Sequence, residues 1–373
     1  MDKIGLYIHI PFCVSKCPYC DFHSAAIGTP LQVQGRLDAY TDALLRSMNG
    51  WAERLSVTAD TLYFGGGTPS LMGGERLARV MAEARRLFGL AGAEITMEAN
   101  PADNLADTLS AFAAAGGNRL SLGMQSAVPA ELALLGRRHT PADVARTMAD
   151  AHRAGIDNVS LDVMLSIGGQ TLASACHSVD VAAELGATHL SAYLLKIEPN
   201  TPYGTCPPPD LPSEDDTVDL YLAAFERMEH HGYHQYEISN AALPGRESRH
   251  NLKYWLSHPY LGIGPAASSC VGGKRFTYPR DTAAFLAGNE PVEDPCEGAP
   301  VGSPEEYALL RLRLTEGLSA ADFTARFGQT LPEQWLKNAA ALPQSLVVAD
   351  GEHIRLTRDG FLLSNTLISR IIT

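Results

Sequence analysis

Cys13-Val14-Ser15-Lys16-Cys17-Pro18-Tyr19-Cys20 places three cysteines at spacings of three and then two residues. Thiolates on one tight loop can converge on a single inorganic cluster, and a cubane of four irons needs four ligands. Three local cysteines therefore leave one iron open to an exchangeable group. Two other readings start from the same residues: a partial zinc site awaiting a distant ligand, and a redox pair with a bystander. Tetrahedral zinc usually draws its ligands as two close pairs, and no second Cys/His pair follows at the usual interval. Just upstream, Gly5-Leu6-Tyr7-Ile8-His9-Ile10-Pro11 reads as a short apolar strand ending before the loop. A loop hung on a strand belongs to a scaffold and not to a finger.

Downstream the chain alternates. Helical spacing of Leu37, Tyr40, Leu44, Leu45 and Met48 predicts a helix over about 36–55, followed by a strand over 60–64. The alternation continues with helix 75–88, strand 94–99 (stopped by Asn100-Pro101), helix 105–115, strand 119–122 and helix 141–154. Strand 159–164, helix 171–186, strand 189–195 and helix 215–232 complete it. Parallel strands joined by crossover helices close into a barrel or part of one, with ligands held at the strands' C-terminal ends. Six units fall short of eight. The expected fold is α/β, an open, partial, parallel (β/α)6 TIM-like barrel.

The candidate site residues stand after or near the ends of these strands. Gly65-Gly66-Gly67-Thr68-Pro69 follows the second strand, and glycines let backbone come close to a partner without a Cβ in the way. Glu98 ends the third strand, where an acid can accept from ribose hydroxyls. Gln125 follows the fourth strand, and Arg137 offers a planar fork suited to a carboxylate. Asp162 lies among apolar neighbours in the fifth strand, where an acid is costly to bury without partners. Taken singly, each suits a structural role as well as a ligand contact.

Tyr7-Ile8-His9-Ile10-Pro11-Phe12-Cys13, with Cys17 and Cys20, resembles the radical S-adenosylmethionine (SAM) family, and within it the oxygen-independent coproporphyrinogen III oxidase branch. The resemblance implies that Cys13, Cys17 and Cys20 hold a [4Fe-4S] cluster whose fourth iron is chelated by SAM. It implies SAM contacts from Tyr7, Gly66, Gly67, Thr68, Glu98, Gln125, Arg137 and Asp162. After Asp162 the family's Tyr-Gly-Leu-Pro-Gly-Gln-Thr-like run reads Leu165-Ser166-Ile167-Gly168-Gly169-Gln170-Thr171 here, without the proline.

Two further departures bear on the reaction. The decarboxylating oxidases carry Cys-Gly-Cys where this chain has Cys20-Asp21-Phe22, and they have an N-terminal extension, whereas here the first strand begins at Ile4. Conversely, His250-Asn251-Leu252-Lys253-Tyr254-Trp255 resembles the His-Asn-x-x-Tyr-Trp motif of the heme-chaperone branch. A neutral imidazole can ligate heme iron, and Tyr254 and Trp255 offer flat faces to a macrocycle. On the residues alone, His250 serves equally to satisfy backbone groups and Trp255 to fill core. The resemblance implies a heme chaperone with cluster, SAM and heme as cofactors and heme-accepting proteins as partners. A flavodoxin or ferredoxin would supply electrons if SAM is cleaved, and both a membrane-associated acceptor and a homodimer are compatible with it. The alternative is an oxygen-independent coproporphyrinogen III oxidase that decarboxylates porphyrinogen propionates.

With 373 residues, 45% hydrophobic, the chain is long enough for one large domain and a smaller one. A net charge of −13 excludes a general affinity for nucleic acid or anionic membrane. Met1-Asp2-Lys3-Ile4 opens no signal peptide, and no apolar run approaches the roughly 18 residues of a spanning helix. Cys176, Cys206, Cys270 and Cys296 are scattered, which suits a reducing interior and a cytoplasmic location. His230, His231 and His234 read as the solvated end of a helix, and His9 as a packed strand residue.

Pro291, Pro295, Pro300 and Pro304 mark a linker. Beyond it, helices over 305–314, 319–327 and 332–342, a hairpin around Asp350-Gly351 and a closing helix over 360–372 predict a small α+β module resembling a winged helix. The expected organisation is a barrel over 1–240, an extension carrying the His250 motif over 241–300, and the C-terminal module over 301–373.

Overall fold

The computed structural model describes residues 3–28, 30–101, 104–295 and 298–373. Met1, Asp2 and Cys296 of the sequence reading lie outside them. Six strands, Lys3–Ile10 (β1), Thr58–Gly66 (β2), Glu94–Ala99 (β3), Arg119–Gln125 (β4), Asn158–Leu165 (β5) and His189–Leu194 (β6), pair in parallel in chain order. Helices Pro30–Arg54 (α1), Gly73–Phe88 (α2), Ala106–Ala114 (α3), Pro141–Arg153 (α4) and Leu172–Glu184 (α5) cross between them, and Glu214–His230 (α6) follows β6. The (β/α)6 expectation is met. α1 begins at Pro30 and not near 36, and β2 runs on through Gly66, so two of the three glycines are strand residues.

A period of two decides what each strand faces. Leu6, Ile8, Leu62, Phe64, Ile95, Met97, Leu120, Leu122, Leu161 and Val163 are buried in one core with Leu44, Met48, Leu77, Met81, Phe112 and Val144 of the helices. Each such side chain contributes about 1.5–3 kcal/mol on burial. The alternate positions carry Tyr7, Thr61, Tyr63, Thr96, Glu98, Arg119, Ser121, Ser160, Asp162, His189 and Ser191. Register places them side by side: Tyr7 with Tyr63, Thr96 with Arg119, Glu98 with Ser121, Ser160 with His189. The lumen of the barrel is therefore polar.

The sheet does not stop at six strands. Asn240–Ala242 (β7) pairs antiparallel to β6, while Tyr260–Ile263 (β8) adds a parallel strand to the free edge of β1 and leads into the antiparallel strands Ser268–Val271 (β9) and Lys274–Thr277 (β10). The strands from Tyr260 to Glu293 thus extend the same twelve-stranded sheet on the far side of β1, with the short helix Arg249–Trp255 (α7) between β7 and β8.

The C-terminal module has helices Pro304–Arg311, Ala320–Phe327 and Glu333–Ala340 and a three-stranded sheet of Leu318–Ser319, Val347–Ala349 and His353–Leu356. The closing helix is broken. Arg358–Leu362, capped by the Thr357 hydroxyl on the Gly360 amide, ends at Leu363 before Ser364–Ile372 begins, so the expectation of one helix over 360–372 is corrected.

Candidate functional site

The cysteine loop leaves the C-terminal end of β1 and is tied at its base. Phe12–Cys13 pairs in parallel with Ala25–Ala26, and the Ala25 and Ile27 amides donate to the Pro11 and Cys13 carbonyls at 2.9 Å each. Within the loop the Cys20 amide donates to the Cys17 carbonyl at 3.2 Å and the Lys16 ammonium to the Phe22 carbonyl at 3.1 Å. Cys13, Cys17 and Cys20 are free thiols, each half-buried. Burial, added to by the neighbouring thiols Cys17 and Cys13, pushes the Cys20 thiol up. Among the described residues no three His, Cys, Asp or Glu side chains gather as a single ion would need. A cubane places its thiolate ligands on separate irons, so a wider trio suits it.

The glycine turn clamps this loop from the second strand. The Gly67 and Thr68 amides donate to the Ile10 and Phe12 carbonyls at 2.8 and 2.7 Å, and the Thr68 hydroxyl points at the Cys13 sulfur at 3.7 Å. A Cβ on Gly67 would stand 2.6 Å from the Phe12 carbonyl oxygen, and one on Gly66, whose φ is +112°, 2.5 Å from the His9 ring. The close approach these glycines permit is to the cysteine loop itself.

Around the mouth stand the remaining expected residues. Glu98 accepts from the Tyr63 hydroxyl at 2.9 Å and the Gly66 amide at 3.1 Å; burial raises its carboxyl, and those two bonds oppose the rise. The Tyr7 hydroxyl is hydrogen-bonded to His9 Nδ1 at 3.0 Å, and its ring stacks 6.2 Å from that of Tyr63. His9 is buried, its other ring nitrogen 2.8 Å from the His23 carbonyl, as a packed strand residue should be. Gln125 is the last residue of β4 and not beyond it. It takes a left-handed φ of 66° where the β4–β5 register shifts.

Arg137 donates to the Gly123 carbonyl at 2.7 Å and faces the Cys17 sulfur at 3.6 Å, while its buried Nε has no partner among the described residues. Asp162 accepts from the Ser121 hydroxyl at 3.4 Å, and burial, then Glu98, push its carboxyl up to about 7. The turn that lacks the family's proline closes through the Gln170 amide on the Ile167 carbonyl at 2.9 Å and the Gly169 amide on the Asp210 carbonyl at 2.8 Å. The structure thus brings Tyr7, Gly66, Gly67, Thr68, Glu98, Gln125, Arg137 and Asp162 to one end of the barrel beside the three cysteines.

The His250 motif lies beneath these residues in the lumen, its ring 6.4 Å from that of Tyr7. α7 closes the lumen from the N-terminal ends of the strands, its first amides (Arg249 and His250) donating to the Glu94 carboxylate at 3.2 and 3.0 Å. His250 is 1% exposed. Its Nδ1 is bonded to the Thr61 hydroxyl at 2.7 Å and its Nε2 to the Tyr254 hydroxyl at 2.9 Å, and its ring stacks 5.0 Å from Tyr63. Burial lowers its pKa to about 3. Both ring nitrogens are engaged in hydrogen bonds. Trp255 turns toward the C-terminal module, with the Arg313 guanidinium 6.0 Å over its ring. His231, expected in solvent, is hydrogen-bonded to Asp180 at 2.7 Å.

Sequence reading missed the lumen. Thr96, Arg119, Ser160, His189 and Tyr193 line it, and the signal was the alternation in runs such as Arg119-Leu120-Ser121-Leu122. The mouth is ringed with apolar groups: Val14, Phe22, Leu172, Tyr193, Leu194 and Leu211 are six of the eight large apolar side chains exposed among the described residues.

Residues 7–182 match the Radical SAM superfamily and residues 303–363 the HemN C-terminal domain. The chain is 36% identical to the heme chaperone HemW of Escherichia coli over 99% of this chain and 98% of that one, and 34% identical to the heme chaperone HemW of Bacillus subtilis over 98% of both. Its fold is similar to that of coproporphyrinogen III oxidase (HemN) from Escherichia coli, with a TM-score of 0.83 at 22% identity, covering 100% of this chain and 90% of the other. No helix among the described residues is long and apolar enough to cross a membrane.

Proposed function

The chain belongs to the radical SAM superfamily, in the group of the heme chaperone HemW, and from that premise we propose that it is a heme carrier holding a [4Fe-4S] cluster and SAM at the barrel mouth. The observation that carries the reading is three free, half-buried thiols on one loop with the partnerless Nε of Arg137 beside them. A buried guanidinium with an unused donor suits an anionic ligand such as the carboxylate of SAM. Cys13, Cys17 and Cys20 would hold the cluster; Tyr7, Gly66, Gly67, Thr68, Glu98, Gln125, Arg137 and Asp162 would hold SAM. When bound, the pair supplies one-electron cleavage of a sulfonium.

The chain's own residues do the positioning. Arg137, its NH2 held on Gly123 and its NH1 on Cys17, would receive the carboxylate of SAM through its remaining Nε beside the cysteine loop. Thr68 keeps the Cys13 sulfur in place, and the Tyr7–His9 pair seals the strand side of the loop. The exposed apolar side chains at the mouth suit the flat apolar faces of heme, which is delivered from there to acceptor proteins. A flavodoxin or ferredoxin would reduce the cluster if SAM is cleaved.

Anaerobic reconstitution tests this. Four irons per chain, saturable SAM binding and one-to-one heme uptake are expected, with no turnover of coproporphyrinogen III in the presence of SAM and reductant. Fewer than four irons with no SAM affinity removes the cluster reading; porphyrinogen decarboxylation replaces the carrier with the oxidase.

A further inference from the structure

We propose that Arg119 and Thr96 form a buried carboxylate-binding site inside the barrel, below the mouth. Arg119 opens β4 and is paired in register with Thr96 of β3, so both side chains enter the lumen side by side. Arg119 is 1% exposed and Thr96 0%, yet Arg119 Nε and Thr96 Oγ1 have no hydrogen-bond partner among the described residues. The groups around them are already matched with one another. His250 is taken by Thr61 and Tyr254; His189 is taken by Ser160 and Tyr236 at 2.8 Å each; Glu98 is taken by Tyr63 and Gly66.

Glu98 and Asp162 feel the guanidinium only through space, and burial favours the neutral form of both acids. That leaves a fixed positive charge in the interior without a counter-ion in contact among the described residues, an arrangement that is costly unless an anion completes it. A planar fork beside a hydroxyl matches a carboxylate, with the fork on the two oxygens and the hydroxyl donating to one of them. A sphere of charge would use the fork poorly.

Such a carboxylate has two sources: a small free acid, or a propionate of bound heme, the second resting on the carrier reading above. Reconstituted protein separates them. Sodium acetate, set against sodium chloride at equal ionic strength, is expected to raise the wild-type melting temperature saturably by several degrees if the acid is free. Heme is expected to bind about tenfold or more tightly than its dimethyl ester if the acid is a propionate. Either effect should vanish in Arg119→Gln and weaken in Thr96→Val. Should Arg119→Gln fail to fold, Thr96→Val and the wild-type arms decide.

If the protein binds no heme in either form, the carrier reading fails while the acetate arm still decides this site. No saturable acetate effect together with equal affinity for heme and its ester, or either effect surviving intact in Arg119→Gln, overturns the proposal.

Discussion

Asp162 shows how far a single residue's chemistry depends on which way its strand faces. Among apolar neighbours in sequence it looked costly to bury, and in the barrel it points into a polar lumen where its carboxyl is pushed up to about 7 from 3.8. Between those values the folded protein keeps a proton that the unfolded chain has released, so this group's contribution to stability falls as pH rises through that window and is level above it. Asp162→Asn, neutral throughout, should match the wild type near pH 4 and exceed it at pH 8 by about 4 kcal/mol, while SAM affinity drops. Urea unfolding of both proteins at the two pH values measures this; a difference that does not change with pH would rule it out.

His250 makes the complementary case. Its motif was legible, but sequence spacing says nothing about whether both ring nitrogens are already bonded. Removing it breaks bonds to Thr61 and Tyr254 and a stack on Tyr63. His250→Ala should therefore cost about 3 kcal/mol of stability and leave the heme stoichiometry unchanged at a temperature where it is folded. Loss of the heme spectrum with full retention of stability would reverse that assignment.

Elements were read well where their period was strong and badly where a neighbour set their limits. All six strands and their helices follow from apolar repeats, and the C-terminal ends of the strands collect the expected SAM residues. The glycine turn illustrates the limit. A triplet signals close approach, but the partner was visible only in three dimensions: Gly67 packs on the Phe12 and Ile10 carbonyls, which are backbone and cannot swing aside. Gly67→Ala should push the turn off the cysteine loop, costing about 2–3 kcal/mol and lowering the iron bound per chain after reconstitution. Gly169, with open space around its Cβ position but a φ of +71°, is the control: alanine there should cost only backbone strain of about 1 kcal/mol and leave iron content intact. Equal iron loss in both variants would mean that the clamp does not act through contact.

At the scale of the whole molecule, the barrel of β1 to β6 is not closed by its own residues. β8 covers the edge of β1 through the pairs Gly5–Tyr260 to Ile8–Ile263. α7 plugs the opposite end of the lumen, where Glu94 receives its first amides and Lys253 reaches Asp60 at 2.7 Å. The C-terminal module is joined to the segment after α6, with the Thr315 amide donating to the Tyr236 carbonyl, the Ile238 amide to the Arg313 carbonyl, and Arg358 paired with Glu229. Residues 241–300 were expected as an extension because they carry a separate motif and end in a Pro/Gly-rich linker, and strand order across such a distance leaves no trace in local periodicity.

A chain ended at 240 would expose the unpaired donors and acceptors of β1 and the polar floor beneath it, and bare strand edges pair with one another. It should be recovered as aggregate, or as soluble material without a cooperative thermal transition. A chain ended at 300 keeps β8, β9, β10 and α7 and loses only the module; it should remain monodisperse and bind four irons, with a lower melting temperature. Size-exclusion chromatography and thermal unfolding of the two chains side by side decide the matter. A monodisperse, cooperatively melting 1–240 fragment would show that the barrel needs neither its eighth strand nor its plug.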